Sequence, residues 1–232
     1  MSRVLPILFN GDMVRAILDG RKTVTRRVVK VPPYYPHFYK LHDNADGALS
    51  GTKNRLYAGF YNNERIFYID GEKHVDALYY QAPYQPGDIL YVRETWYRGL
   101  NRILYKANYS ENEKFYTNGK EIQIKWHPSI HMPKEAARIW LKVKDVRVER
   151  IKDMTDKDAL NEGAQGVKCD HAGLGAYGCT DCMNTGWLEP PILEFMGIWD
   201  STIKKSDIDC YGWDANPWVW VIEFERCEKP ED

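Results

Sequence analysis

The densest group of reactive side chains lies in one short segment. Cys169-x-His171 followed by Cys179-x2-Cys182 places three thiols and one imidazole within fourteen residues. Thiolate sulfur and imidazole nitrogen are ligands of tetrahedral Zn²⁺, and four of them fill its coordination sphere, leaving no open position for a catalytic water. The spacing therefore predicts a structural zinc site, set against free thiols in a flexible loop. Glycines between the cysteines allow the tight turning that a metal loop requires. The remaining two of the five cysteines, Cys210 and Cys227, are isolated and read as buried structural thiols. An odd number with three crowded together favours a reducing, cytoplasmic compartment over a disulfide framework.

The elements that carry such a segment must come from an ordinary globular chain: 232 residues, 44% hydrophobic and 28% charged. Lys and Arg total 32 against 33 Asp and Glu, so any nucleic-acid contact must come from a local basic patch. No run approaches the roughly 18 apolar residues of a membrane span. The opening MSRVLPILFNGDMVRAILDG, broken by Pro6, Asn10 and Gly11, lacks a signal-peptide core. Aromatic residues make up 13% of the chain and often neighbour charges, as in RETWYR. They read as rings capping a barrel core or as a stacking surface for bases.

Along the chain, the first element reads as a helix capped by Asn10 or Asp12, with Met13, Ile17 and Leu18 at helical spacing and Gly20 as its stop. TVTRRVVKV then reads as a strand that places Thr23, Thr25 and Arg27 on one face. Residues 31–84 read as an insertion carrying a hairpin, with YAGFY and RIFYI as short strands. A turn at Pro86-Gly87-Asp88 leads into a strand with Ile89, Tyr91 and Arg93 alternating against Leu90, Val92 and Glu94. ILYKANY and EIQIKW suggest a further hairpin, and Trp140 to Ile151 a long strand. Thr155 as N-cap with Asp158 at N3 opens a helix that Gly163 stops. A second insertion, 166–190, holds the cysteines; an amphipathic helix and the closing strand NPWVWVIEFERCE follow. Scattered strands, few short helices and no βαβ rhythm predict an α+β fold built on a small mixed barrel, with residues 1–232 as one domain.

One stretch carries a family pattern. Gly20-Arg21-Lys22-Thr23-Val24-Thr25-Arg26-Arg27 resembles the G-x-K-x-x-T-x-R signature of ASCH domains at Gly20, Lys22, Thr25 and Arg27, in the same helix-to-strand setting. PGDILYVRETW and WVWVIEFER are similar to the PGD-turn strand and closing strand of that superfamily, and the whole chain resembles large ASCH proteins of phage and prophage genomes. The resemblance covers residues 1–30, 85–165 and 192–228. It implies a PUA-like barrel that holds a nucleoside or RNA. Small bacterial members of the superfamily are amidohydrolases that deacetylate N(4)-acetylcytidine through a Lys, a Thr and a Glu. The resemblance places these roles on Lys22, Thr25 and Glu162.

Amide hydrolysis requires a nucleophile, a proton acceptor and a group that stabilises the oxyanion. Thr25 attacks the acyl carbon if a base takes its proton; Lys22 is that base if burial or Arg21, Arg26 and Arg27 lower its pKa. Alternatively, Glu162 activates water while protonated Lys22 holds the oxyanion. Against both stands a simpler reading, a helix exit where Lys suits the helix C-terminus and Thr the strand. Arg26 and Arg27 are candidate substrate contacts, with Arg27 as a bidentate donor or an ordinary ion-paired residue. Glu94, beside Trp96, is a candidate base contact that pairs with Arg27 or receives a cytosine amino group, or else an ordinary partner of Arg93 or Arg98. Three functions follow: a nucleoside deacylase, a non-catalytic RNA or modified-base reader, or a protein-interaction adaptor built on the zinc loop and Trp-rich ending.

Overall fold

The computed structural model describes residues 3–30, 37–43, 56–69, 72–99, 102–117, 119–170, 182 and 185–231. The chain runs β1 (Val4–Leu8), α1 (Gly11–Leu18), β2 (Val24–Val28), β3 (His37–Asp43), β4 (Leu56–Ile69), β5 (Glu72–Gln81) and β6 (Ile89–Arg93). It continues through β7 (Trp96–Arg98), β8 (Ile103–Tyr105), β9 (Phe115–Thr117), β10 (Lys120–Ile122), β11 (Trp140–Arg150) and α2 (Asp156–Asn161). It ends with β12 (Val167–Lys168), β13 (Trp187–Glu189), α3 (Pro191–Thr202), α4 (Ile208–Tyr211) and β14 (Trp218–Cys227). Five strands form a sheet in the order β1-β6-β11-β14-β2, β3-β4-β5 form a second sheet, and β7-β8, β9-β10 and β12-β13 are two-stranded ribbons. The fold is mixed α+β. Among the described residues no helix is long and apolar enough to cross a membrane.

The chain divides into two compact units, one of residues 1–23, 86–144 and 224–232, the other of residues 24–85 and 145–223. In the first, β6 follows the expected alternation: Leu90 and Val92 are buried between half-buried Ile89, Tyr91 and Arg93. Helix α1 is capped by Asn10, whose side chain accepts from the Met13 amide at 2.9 Å. It buries Val14, Ala16 and Ile17. Gly20 adopts φ +75°, a left-handed turn that lets the amides of Gly20 and Arg21 close on the carbonyls of Ile17 and Ala16. The glycine of the signature is thus required by the helix exit itself.

Three expectations about strands need correction. A strand precedes α1: β1 pairs in parallel with β6, and its Pro6 is accommodated because β1 ends the sheet and has one neighbour. YAGFY and RIFYI are two parts of the single strand β4 rather than separate strands, with a register shift between Asn62 and Ile66, and the hairpin expected within residues 31–84 is formed by β4 with β5. ILYKANY and EIQIKW do not pair with each other. β8 folds back on β7, and β10 on β9, with Thr117 opposite Lys120 and Gly119 at φ +73°.

The second unit packs α2 and α3 over a core containing Val24, Ile151, Met154, Phe195, Trp199, Trp213, Val219 and Val221. The α2 capping box forms as its sequence predicts: the Thr155 hydroxyl accepts from the Asp158 amide, and the Asp158 carboxylate accepts from the Thr155 amide. Thr155→Ala should therefore lower stability by about 1 kcal/mol, measured by chemical denaturation; an unchanged midpoint would show that the box contributes nothing. The two isolated cysteines are not buried as expected, since Cys210 is exposed and Cys227 half-buried. α4, which carries Cys210, is a four-residue surface turn with no buried residue.

Candidate functional site

Strand β2 is where the signature meets the fold. Its first three residues, Val24, Thr25 and Arg26, are all buried, so both faces of the strand are covered. β2 runs antiparallel to β14, with Thr25 opposite Ile222, Arg26 opposite Val221 and Arg27 opposite Trp220. Thr25 and Arg27 share a face, two residues apart. The Arg27 Nη1 donates to Thr25 Oγ1 at 2.9 Å and to the Arg26 carbonyl at 3.0 Å. A hydroxyl that accepts from a cation keeps its own proton to donate elsewhere, and its oxygen carries developing negative charge at lower cost.

The opposite face of β2 directs Arg26 into a set of carboxylates. Its side chain is 0% exposed and lies 3.4 Å from Glu162 Oε1, 3.4 Å from Glu149 Oε2 and 3.7 Å from Asp158 Oδ1. Glu149 is also held by Arg147 Nε at 2.5 Å. Burial pushes the Asp158 carboxyl up, but hydrogen bonds from the Thr155 hydroxyl and amide, with Arg26 and Arg147, outweigh it and hold it below the ordinary carboxylate range. Arg26 Nε is buried without a hydrogen-bond partner among the described residues. Arg26 is thus a structural cation holding three carboxylates, one of them Glu162, and its solvent-sealed side chain lies among them.

Glu162 sits at the C-cap of α2, its side chain 4% exposed. Burial lowers the Arg27 pKa from its ordinary value, and Glu162 and then Tyr84 partly restore it. One guanidinium therefore binds Thr25 and lies in the fields of both Glu162 and Tyr84. Arg27 also lines a pocket of about 350 Å³ with Lys30, Tyr80, Gln81, Tyr84 and Trp220. Sequence reading had not singled out Tyr80, Tyr84, Lys30 or Trp220. Tyr80 and Tyr84 lie at and just beyond the end of β5, in the aromatic run before the PGD turn; Trp220 was legible only as one ring of the closing strand.

Other expected site residues lie in the first unit. The Lys22 side chain is buried, with its ammonium 5.6 Å from the centre of the Phe9 ring, and its amide bonds to the Ala16 carbonyl. Glu94 is 1% exposed and bound at both oxygens by Arg138, at 2.7 and 2.9 Å. Arg138 in turn stacks on Tyr105 at 4.0 Å. Of the partners considered for Glu94, Arg93 instead donates to the Met132 carbonyl and Arg98 lies over the Trp96 ring. Trp96 is buried against Met132 and Ala136 with its ring 5.3 Å from that of His127.

Of the expected zinc ligands, Cys169 and Cys182 are described, while His171 and Cys179 lie outside the described residues. Cys169 directly follows β12 and its amide bonds to the Gly186 carbonyl at 3.1 Å; Cys182 is buried, and its carbonyl accepts from the Thr185 amide and hydroxyl. The β12-β13 ribbon thus holds the two ends of the segment together. Among the described residues no three metal-ligating side chains come together. No family model, no curated protein and no solved structure matches the chain.

Proposed function

We propose that this chain is a nucleobase-recognising protein of the ASCH superfamily, its strands forming the PUA-like barrel of that group, and that it removes the acyl group from an acylated nucleoside such as N(4)-acetylcytidine. The observation that carries this reading is the 2.9 Å bond from Arg27 to Thr25, on the strand whose other face lies within reach of the sealed carboxylate Glu162. In the proposed reaction an oxygen attacks the acyl carbon and Glu162 takes its proton. The C–N bond breaks, the proton passes to the departing amine, and Arg27 stabilises charge on the attacking oxygen; where that oxygen is Thr25's, water then hydrolyses the Thr25 ester, releasing acetate and restoring the hydroxyl. Lys22 enters through the signature, as proton acceptor or oxyanion donor. Acetate release from N(4)-acetylcytidine by the purified protein tests the reading; binding of cytidine without acetate release would leave a modified-base reader.

The proposal includes a structural zinc at Cys169, His171, Cys179 and Cys182. The closed β12-β13 stem and the burial of Cys182 fit a loop folded on a metal. About one zinc ion per chain should co-purify, and Cys182→Ser should weaken its retention while disordering residues 166–186 without global unfolding. Metal analysis of reduced protein that finds no zinc would end this part of the proposal.

A further inference from the structure

We infer that the pocket along Arg27, Lys30, Tyr80, Tyr84 and Trp220 takes a nucleotide carrying a phosphate and discriminates it from the bare nucleoside. This rests on the nucleobase reading above and adds the chemistry of the ligand's second half. The lining holds two cations and no carboxylate, on a chain whose formal charge is -1. Two other pockets, both bordered by Lys106, include Glu111, Glu113 and Glu121 in one case and Asp12 and Glu111 in the other. Each of these two linings also holds two cations, so what sets the Arg27 pocket apart from them is that no carboxylate offsets its charge.

The two kinds of lining residue match the two parts of a nucleotide. Tyr80 and Tyr84 are half-buried aromatic rings of the lining, which Trp220, 3% exposed, also borders. Such rings accept a base by stacking whatever its identity. Exposed Lys30 supplies a point charge suited to phosphate oxygens, and Arg27, whose Nη1 is held by Thr25 and the Arg26 carbonyl, adds its positive charge to the lining. The volume, about 350 Å³, lies at the lower end for small-molecule sites and fits one nucleotide unit better than a folded RNA segment.

The test titrates the full chain with cytidine, cytidine monophosphate, inorganic phosphate, and a short oligocytidylate with and without a terminal phosphate, read by calorimetry. The monophosphate should bind at least about tenfold more tightly than cytidine, the gain of one charge-assisted contact, and the gain should shrink with added salt. Arg27→Gln and Lys30→Gln should each reduce that ratio, whereas Lys114→Gln, a charge loss on the β9-β10 ribbon, should preserve it. A tighter phosphorylated oligonucleotide would assign the phosphate to a strand terminus, and a tighter mononucleotide to the free pool. Equal affinity for cytidine and its monophosphate, or a ratio that survives both pocket substitutions, would overturn the inference and leave the nucleobase reading in place. Binding of inorganic phosphate as tight as that of the monophosphate, with no binding of cytidine, would overturn the nucleobase reading and keep the anion site. No binding of any probe would overturn both.

Discussion

Arg26→Met is expected to lower stability by about 3 kcal/mol near neutral pH, because it removes the cation from a buried cluster and takes a charge partner from each of three carboxylates. For a chain of this size that corresponds to a fall in Tm of roughly 6–12 °C. The lower end of the range for a broken buried pair applies because the contacts are 3.4–3.7 Å long and Glu149 and Asp158 are each 27% exposed at the side chain. Glu162, at 4%, takes most of the damage. The pH dependence has a defined sign. Asp158 is held below the ordinary carboxylate range in the folded chain, so its stabilisation is complete above about pH 4, the unfolded value, and is lost as pH falls further. The deficit of the variant should therefore be largest near neutrality and narrow as acid protonates the carboxylates in both proteins. Denaturation curves that coincide with those of the wild type, or a deficit independent of pH, would show that Arg26 is not the cation on which the cluster depends.

That cluster also marks the limit of what the sequence discloses. The local logic around the signature was readable: an N-cap at Asn10, a glycine at the helix exit, and a period of two that puts Thr25 and Arg27 on one face all depend on neighbours a few residues away. The capping box at Thr155 and Asp158 is local in the same way. Charge partners are not. Arg26 finds its carboxylates more than a hundred residues later, so adjacency to Arg27 suggested a shared role at the cleft although successive residues of a strand point to opposite faces. Glu94 is bound by Arg138, 44 positions on, for the same reason that neighbouring Arg93 and Arg98 were the only partners sequence proximity could offer. The pocket escaped notice because the segment at Tyr80 and Tyr84 and the strand bearing Trp220 approach β2 from opposite ends of the sequence. β1 escaped because five residues containing a proline have no strand periodicity of their own.

The largest functional effect is expected from Thr25→Ala and Glu162→Gln, each of which should reduce release of acetate from N(4)-acetylcytidine by about a hundredfold or more, the scale of losing a nucleophile or general base. Lys22→Ala should fall in the same range if the signature lysine serves as base or oxyanion donor. Glu162→Gln is the sharpest of the three, because it keeps the side chain's size at the α2 C-cap and changes only its charge and proton affinity. It also removes one anion from the Arg26 cluster, so its stability must be measured in parallel; the intact capping box and the remaining pairs of Arg26 with Glu149 and Asp158 provide the basis for a folded variant. Thr25→Ser separates position from chemistry, since it retains the oxygen that Arg27 contacts and should keep turnover within about tenfold of wild type. Cytidine binding, followed alongside, should change less than turnover in every variant, because the groups altered act on the acyl carbon and its oxygen. If Thr25→Ala lowers affinity but wild-type protein releases no acetate above the uncatalysed rate from several acylated nucleosides, the chemistry fails and the same residues belong to a reader. If wild type turns over and all three variants keep full activity, the reaction is catalysed by other residues and the signature serves only the helix-to-strand turn.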